Sequence, residues 1–113
     1  PMIPFQPEYV QMILNGTKTQ TRRLWAKPRV KVGSIQKCYA GGMPFAKVRI
    51  LRVWIELLEN MTPAEIAAEG YPGWSIEQFA ELFARINRLW GLEDALRCSP
   101  YVIEFKLVNK AEP

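Results

Sequence analysis

The eight residues Gly16-Thr17-Lys18-Thr19-Gln20-Thr21-Arg22-Arg23 gather three hydroxyls and three cations around one conformationally permissive glycine. A hydroxyl beside a lysine that has shed its proton can act as a nucleophile with its own base, and guanidinium or backbone N–H groups can stabilise the oxyanion that follows. The same residue types also suit a polar edge strand with solvated charges, and composition alone leaves both readings open. If the stretch is extended, Lys18, Gln20 and Arg22 face one side and Thr19, Thr21 and Arg23 the other, so only a turn at its start brings Lys18 and Thr21 together. It is not a phosphate-binding Walker A loop, because the GxxxxGK[ST] spacing is missing.

The elements that must position these residues are short. Tyr9, Met12 and Ile13 fall at helical spacing within Glu8–Asn15, and Gly16 stands where a left-handed cap favours glycine. Thr17 to Leu24 follows as the polar stretch, then Trp25 and a basic loop through Pro28. Ser34 to Tyr39 predicts a strand and Gly41-Gly42 a turn. Ala46 to Leu58 is the longest strand signal. Its apolar phase changes from Ala46, Val48 and Ile50 to Leu51, Val53, Ile55 and Leu57, as a β-bulge or barrel bend would require. Thr62-Pro63-Ala64-Glu65 begins a helix ending at Gly70, and Ser75 with Gln78 begins a longer one reaching Trp90 before Gly91. Trp54 and Trp90 read as packing residues. Tyr101 to Val108 alternates as a closing strand. The order does not follow βαβ repetition, so the expectation is a single α+β domain with a curved, partly closed sheet.

Composition narrows the chemistry. The chain has 113 residues, 15 Lys plus Arg, 11 Asp plus Glu and no histidine, which removes Ser-His-Asp and Cys-His mechanisms and imidazole zinc sites. No metal or cofactor is expected. Residues 1–49 hold nine basic residues and one acid, a net of +8; residues 50–113 hold six basic and ten acidic, a net of −4. That asymmetry points to an anionic partner, nucleic acid or nucleotide first. Cys38 and Cys98 are too few and too far apart for a metal ribbon, and are expected to be reduced. No segment has the length of a membrane span and the start lacks a signal-peptide pattern, so a cytoplasmic location without membrane contact is expected.

Gly16-x-Lys18-x-x-Thr21-x-Arg23, the turn at Val32-Gly33, the long strand, Thr62-x-x-Glu65-x-x-x-Glu69-Gly70 and the YVIEF strand together resemble the ASCH domain of the PUA-like superfamily, over roughly residues 5 to 108. The resemblance implies a PUA-like curved, partly closed β-barrel with flanking helices. It also implies either recognition of RNA or a modified nucleoside, or hydrolysis of N4-acetylcytidine, with Lys18, Thr21 and Glu69 as the catalytic set. In that chemistry Thr21 attacks the acyl carbon, Lys18 takes its proton, and a protonated Glu69 donates to the leaving nitrogen. A Lys18–Glu69 ion pair that merely ties loop to helix is the structural alternative. Gly16, Thr19, Arg22, Arg23, Trp25, Lys27, Tyr71 and Trp74 complete the expected binding set, with Trp25, Tyr71 and Trp74 as candidates to stack on a base. The chain departs from the smallest members in an inserted helical region at about 71–92. A third reading, a protein-interaction domain using the acidic half, uses the same fold.

Overall fold

A computed structural model describes residues 2–111. Five strands, β1 (Met2–Pro4), β2 (Gln20–Arg23), β3 (Ile35–Ala40), β4 (Met43–Ile55) and β5 (Tyr101–Lys110), form one sheet in the order β1-β3-β4-β5-β2. β1 runs parallel to β3, and the other pairs are antiparallel. Among the described residues four α-helices accompany it: α1 (Tyr9–Leu14), α2 (Pro63–Ala68), α3 (Ile76–Ile86) and α4 (Leu92–Leu96). The architecture is the expected α+β one, a mixed sheet curled into a half-barrel with flanking helices.

The bend has the cause that the sequence phase implies. The β4–β5 register shifts between Ile50 and Arg52, which leaves Leu51 unpaired and exposed while Ile50 and, after the bulge, Val53 face the core. A second shift between Lys47 and Val48 adds to the twist. The concave side of the sheet packs Ile3, Cys38, Val48, Ile50, Ile103 and Phe105 against Tyr9 and Ile13 of α1. A separate apolar cluster joins Leu58, Ile66, Phe79, Phe83 and Ala95, and so fastens α2, α3 and α4 to one another.

Both predicted capping boxes are present: Thr62 with Glu65 opens α2, and Ser75 with Gln78 opens α3. The end of α3 differs from expectation. It stops at Ile86, because Arg88 adopts a left-handed φ of 56° and Leu89 turns back to donate its N–H to the carbonyl of Ala84. Leu89 therefore takes the packing place expected of Trp90, and Trp90 is 99% exposed. Trp54 is half-buried beneath the guanidinium of Arg52, 4.4 Å from its ring centre. β1 and α4 carry no helical or alternating pattern long enough to be read beforehand. Both cysteines are free, and burial pushes the Cys38 thiol up to about 12.

Candidate functional site

β1 and β2 are the two edges of the curled sheet, and the side chain of Arg23 bridges them. Its Nη2 donates to the carbonyl oxygen of Pro4 at 2.6 Å, and its guanidinium lies 4.8 Å from the ring centre of Phe5. Beside this bridge opens a cavity of about 350 Å³. Its polar floor is Lys18, Thr21, Arg22, Arg23 and Glu69; its walls are Phe5 and Tyr9 on one side and Phe79, Leu82, Phe83 and Ile86 of α3 on the other. Polar groups set among apolar and aromatic walls, at this volume, are the usual make-up of a small-molecule site.

Local structure explains how the floor is assembled. Gly16 ends α1 with φ 82°, after which the N–H of Lys18 bonds the carbonyl of Met12 and that of Thr19 bonds the carbonyl of Ala68. This last bond holds the Lys18 segment against the end of α2, where Glu69 follows. Gly70 then leaves the helix at φ 110°, and a Cβ there would lie 2.7 Å from the sulfur of Met12. Only glycine meets both demands without displacing its neighbours.

The Lys18 ammonium is buried and donates to Glu69 twice, to Oε1 and to the backbone carbonyl, each at 3.0 Å. It also lies 4.6 Å from the ring centre of Tyr9. Burial lowers its pKa; the charge and hydrogen bond of Glu69 oppose that shift, and Arg23 and Arg22 add to it. The other Glu69 oxygen, Oε2, accepts from Arg22 Nη1 at 2.8 Å. Arg22 is fully enclosed: its Nη2 donates to Glu56 at 2.8 Å and to Glu65 at 3.2 Å, and Nη1 reaches Gln20 at 3.3 Å. Thr21 Oγ1 accepts from Arg23 Nε at 3.3 Å.

These contacts revise several expectations. β2 is an edge strand, but its charges are not solvated: Lys18, Gln20, Thr21 and Arg22 are each at least nine-tenths buried. Arg22, expected to serve a ligand or oxyanion, spends its Nη donors on three carboxylates and a glutamine. Both Glu69 oxygens accept from cationic donors, so the carboxyl can gain a proton only along one of these bonds. Lys18 and Thr21 line the same cavity, yet no hydrogen bond joins them among the described residues.

Of the expected binding residues, Arg22 and Arg23 line the cavity and the others do not. Gly16 and Lys27 are exposed, and Thr19 serves through its backbone. Trp25 packs on the core 6.3 Å from Tyr101, centre to centre, with the Arg29 guanidinium over its ring, 5.9 Å from the ring centre. Tyr71 stacks on Trp74 with ring centres 4.3 Å apart and donates its hydroxyl proton to Tyr9 Oη at 2.7 Å, so it supports a wall residue from behind. Sequence reasoning missed Phe5, Tyr9, Glu56 and the α3 wall. For α3 a signal exists: Phe79, Phe83 and Ile86 fall at helical spacing on one apolar face. Glu65 was read only as a cap; Oε1 does accept from the Thr62 N–H, while Oε2 binds Arg22.

No family model and no curated protein matches the chain. Solved structures do. The Enterococcus faecalis protein EF3133, of family DUF984, superposes with a TM-score of 0.72 at 18% identity, over 94% of this chain and 73% of that one. An ASCH domain from Lactobacillus crispatus gives 0.65 at 21% identity, over 88% and 70%. A variant of the Zymomonas mobilis protein ZmASCH gives 0.54 at 15% identity, over 94% and 66%. The chain thus has the fold of the ASCH domains. No helix among the described residues is long and apolar enough to cross a membrane.

Proposed function

We propose that the chain is an ASCH-type domain whose cavity recognises one nucleobase, as a modified nucleoside or as an unpaired base of RNA. The observation that carries this reading is the convergence of Lys18, Thr21, Arg23 and Glu69 on the floor of a cavity with aromatic and aliphatic walls. A base presents flat apolar faces and a polar edge, and this lining offers a counterpart to each. With the Nη groups of Arg22 engaged by carboxylates, Thr21 and Arg23 remain the polar groups best placed to read that edge. Ligand recognition here is therefore built from hydrogen bonds and enclosure more than from free charge.

A second reading, deacylation of an N4-acylated cytosine, is favoured by the Lys18–Glu69 contact beside Thr21. Transfer of one proton across the 3.0 Å bond would leave a neutral amine and a protonated carboxyl, the pair of states that a hydroxyl nucleophile requires. Attack by Thr21 Oγ1 on the acyl carbon would release cytidine as its N4 gains a proton. Water would then hydrolyse the threonyl ester to acetate and restore the hydroxyl.

One assay tests both readings. N4-acetylcytidine and cytidine are titrated against the protein with thermal shift as the readout, while acetate release is followed in parallel. Recognition predicts a saturable shift that weakens several-fold in Thr21→Ala, the loss of about one hydrogen bond, and returns in Thr21→Ser. No shift with either nucleoside, or an unchanged affinity in Thr21→Ala, overturns the recognition reading. Binding without acetate release, or release that persists in Thr21→Ala, ends the catalytic one.

A further inference from the structure

Away from the cavity, the convex face of the sheet carries a second set of cations. Lys37 of β3 stands directly opposite Lys47 of β4, and Arg49 of β4 directly opposite Lys106 of β5. All four are exposed, and Lys47 and Arg49, two residues apart on one strand, share the face. Like charges directly opposite one another oppose sheet formation. Here two such pairs occur on neighbouring rungs, and none of the four residues has an ion-pair partner among the described residues.

The same face shows that an acid can be accommodated there. On the next rung Arg52 faces Glu104, which it meets through Nε at 3.1 Å and Nη2 at 3.0 Å. Pairing is thus present on one rung and absent on the two that precede it along β4. At the open end a hollow of about 330 Å³ has Lys37, Lys47 and Lys110 in its lining, which extends the positive surface to the sheet margin.

We propose that this convex face is a docking surface for the phosphodiester backbone of single-stranded RNA, distinct from the base-sized cavity. Three features select that occupant. The cationic rungs repeat about 7 Å apart along β4, close to the separation of successive phosphates in an extended strand. The four cations are unneutralised, and their release of counterions from a polyanion would supply binding without sequence preference. No aromatic stands on either rung, so contact is through phosphate and not through stacking. The face also accounts for part of the +8 in residues 1–49, because Lys37, Lys47 and Arg49 belong to it.

The test is fluorescence anisotropy of a short labelled oligouridine against the full chain, from roughly 50 to 200 mM salt. The double variants Lys37→Gln/Lys47→Gln and Arg49→Gln/Lys106→Gln are each expected to weaken binding by about tenfold. Each should also flatten the dependence of log affinity on log salt by about 1.4, about 0.7 for each cation removed from a single-strand contact. Arg52→Gln, whose cation is already paired, should bind as the unaltered chain does. Nucleoside shifts in the double variants should be unchanged, which separates this surface from the cavity reading. The proposal is overturned by absent oligouridine binding at low salt or by double variants of undiminished affinity. Charge-dependent capture of phosphatidylserine vesicles without oligouridine binding also overturns it.

Discussion

Arg22 and Arg49 are the same residue type on two strands of one sheet, in opposite circumstances. Arg22 is enclosed beneath the cavity and its Nη groups meet Glu56, Glu65 and Glu69; Arg49 is exposed on the convex face beside Lys106. Around Arg22, three cations (Lys18, Arg22, Arg23) are set against three carboxylates. Around Arg49, four cations share a face with no acid on their rungs. Burial explains the first arrangement, since an unmatched charge in a low-dielectric interior is prohibitive. Solvent explains why the second survives: water and salt screen like charges that would be intolerable inside. The formal charges are alike, but the inner set is fixed by the fold and the outer set remains available to a partner.

The largest expected effect comes from breaking the inner set. Glu69→Ala would leave the Lys18 ammonium buried without its carboxylate and deprive Arg22 of one of its three acidic partners. We expect a loss of about 3–5 kcal/mol in denaturant unfolding, the range for removing one partner of a buried pair. Replacing both partners, Lys18→Met with Glu69→Gln, should cost distinctly less than the two single losses added together. Additive losses would mean that the two groups are not coupled, and that the contrast with the convex face is one of position only.

How much of this contrast was legible beforehand depended on distance along the chain. Thr62 with Glu65 and Ser75 with Gln78 announce their helices because a capping box lies within four residues. The bulge at Leu51 was visible because a side chain changes face where the apolar phase breaks. β1 was not, since three residues carry too little pattern and its partner β3 begins some thirty residues later. The enclosure of Arg22 was equally hidden: Gln20, Glu56, Glu65 and Glu69 reach it from three separate segments, and no local spacing encodes that meeting. Lys18, Thr21 and Glu69 were named through the ASCH resemblance, whereas the wall from α3 lay in the inserted region where that resemblance gives no guidance.

Acid titration should sharpen the comparison with an intermediate effect. Burial alone would raise Glu65, but bonding from Thr62 and Glu56 and the charge of Arg22 outweigh it, and the carboxyl lies below its ordinary 4.5. Glu104 on the convex face is lowered chiefly by its hydrogen bond from Arg52, against a smaller opposing effect of burial. An acid whose folded pKa is depressed contributes stability above the unfolded value, and that contribution is lost as pH falls through the folded value. Melting temperature should therefore fall as pH drops below about 4.5. Thr62→Ala should make this acid-dependent fall smaller in both low and high salt, whereas Arg52→Gln should do so only in low salt, because its ion pair is exposed to screening. Equal salt sensitivity in the two variants would show that the inner set is as open to ions as the outer.

The smallest effect, and the one most specific to the convex face, is a gain. Lys106→Gln removes one of two cations placed directly opposite each other and breaks no hydrogen bond of either residue, because Arg49 donates to the carbonyl of Gly33. Relief of that repulsion should stabilise the chain by about 0.2–0.5 kcal/mol at low salt, detectable as a small rise in melting temperature. The gain should fade as salt is added, since screening already weakens the repulsion in the unaltered chain. A loss of stability would mean that the aliphatic stem of Lys106 contributes packing greater than its charge costs, and the convex face could then no longer be described as a sheet surface that gives up stability to keep its charges unpaired. A gain that disappears with salt would instead set the two regions apart by sign: removing a charge weakens the inner set and strengthens the outer.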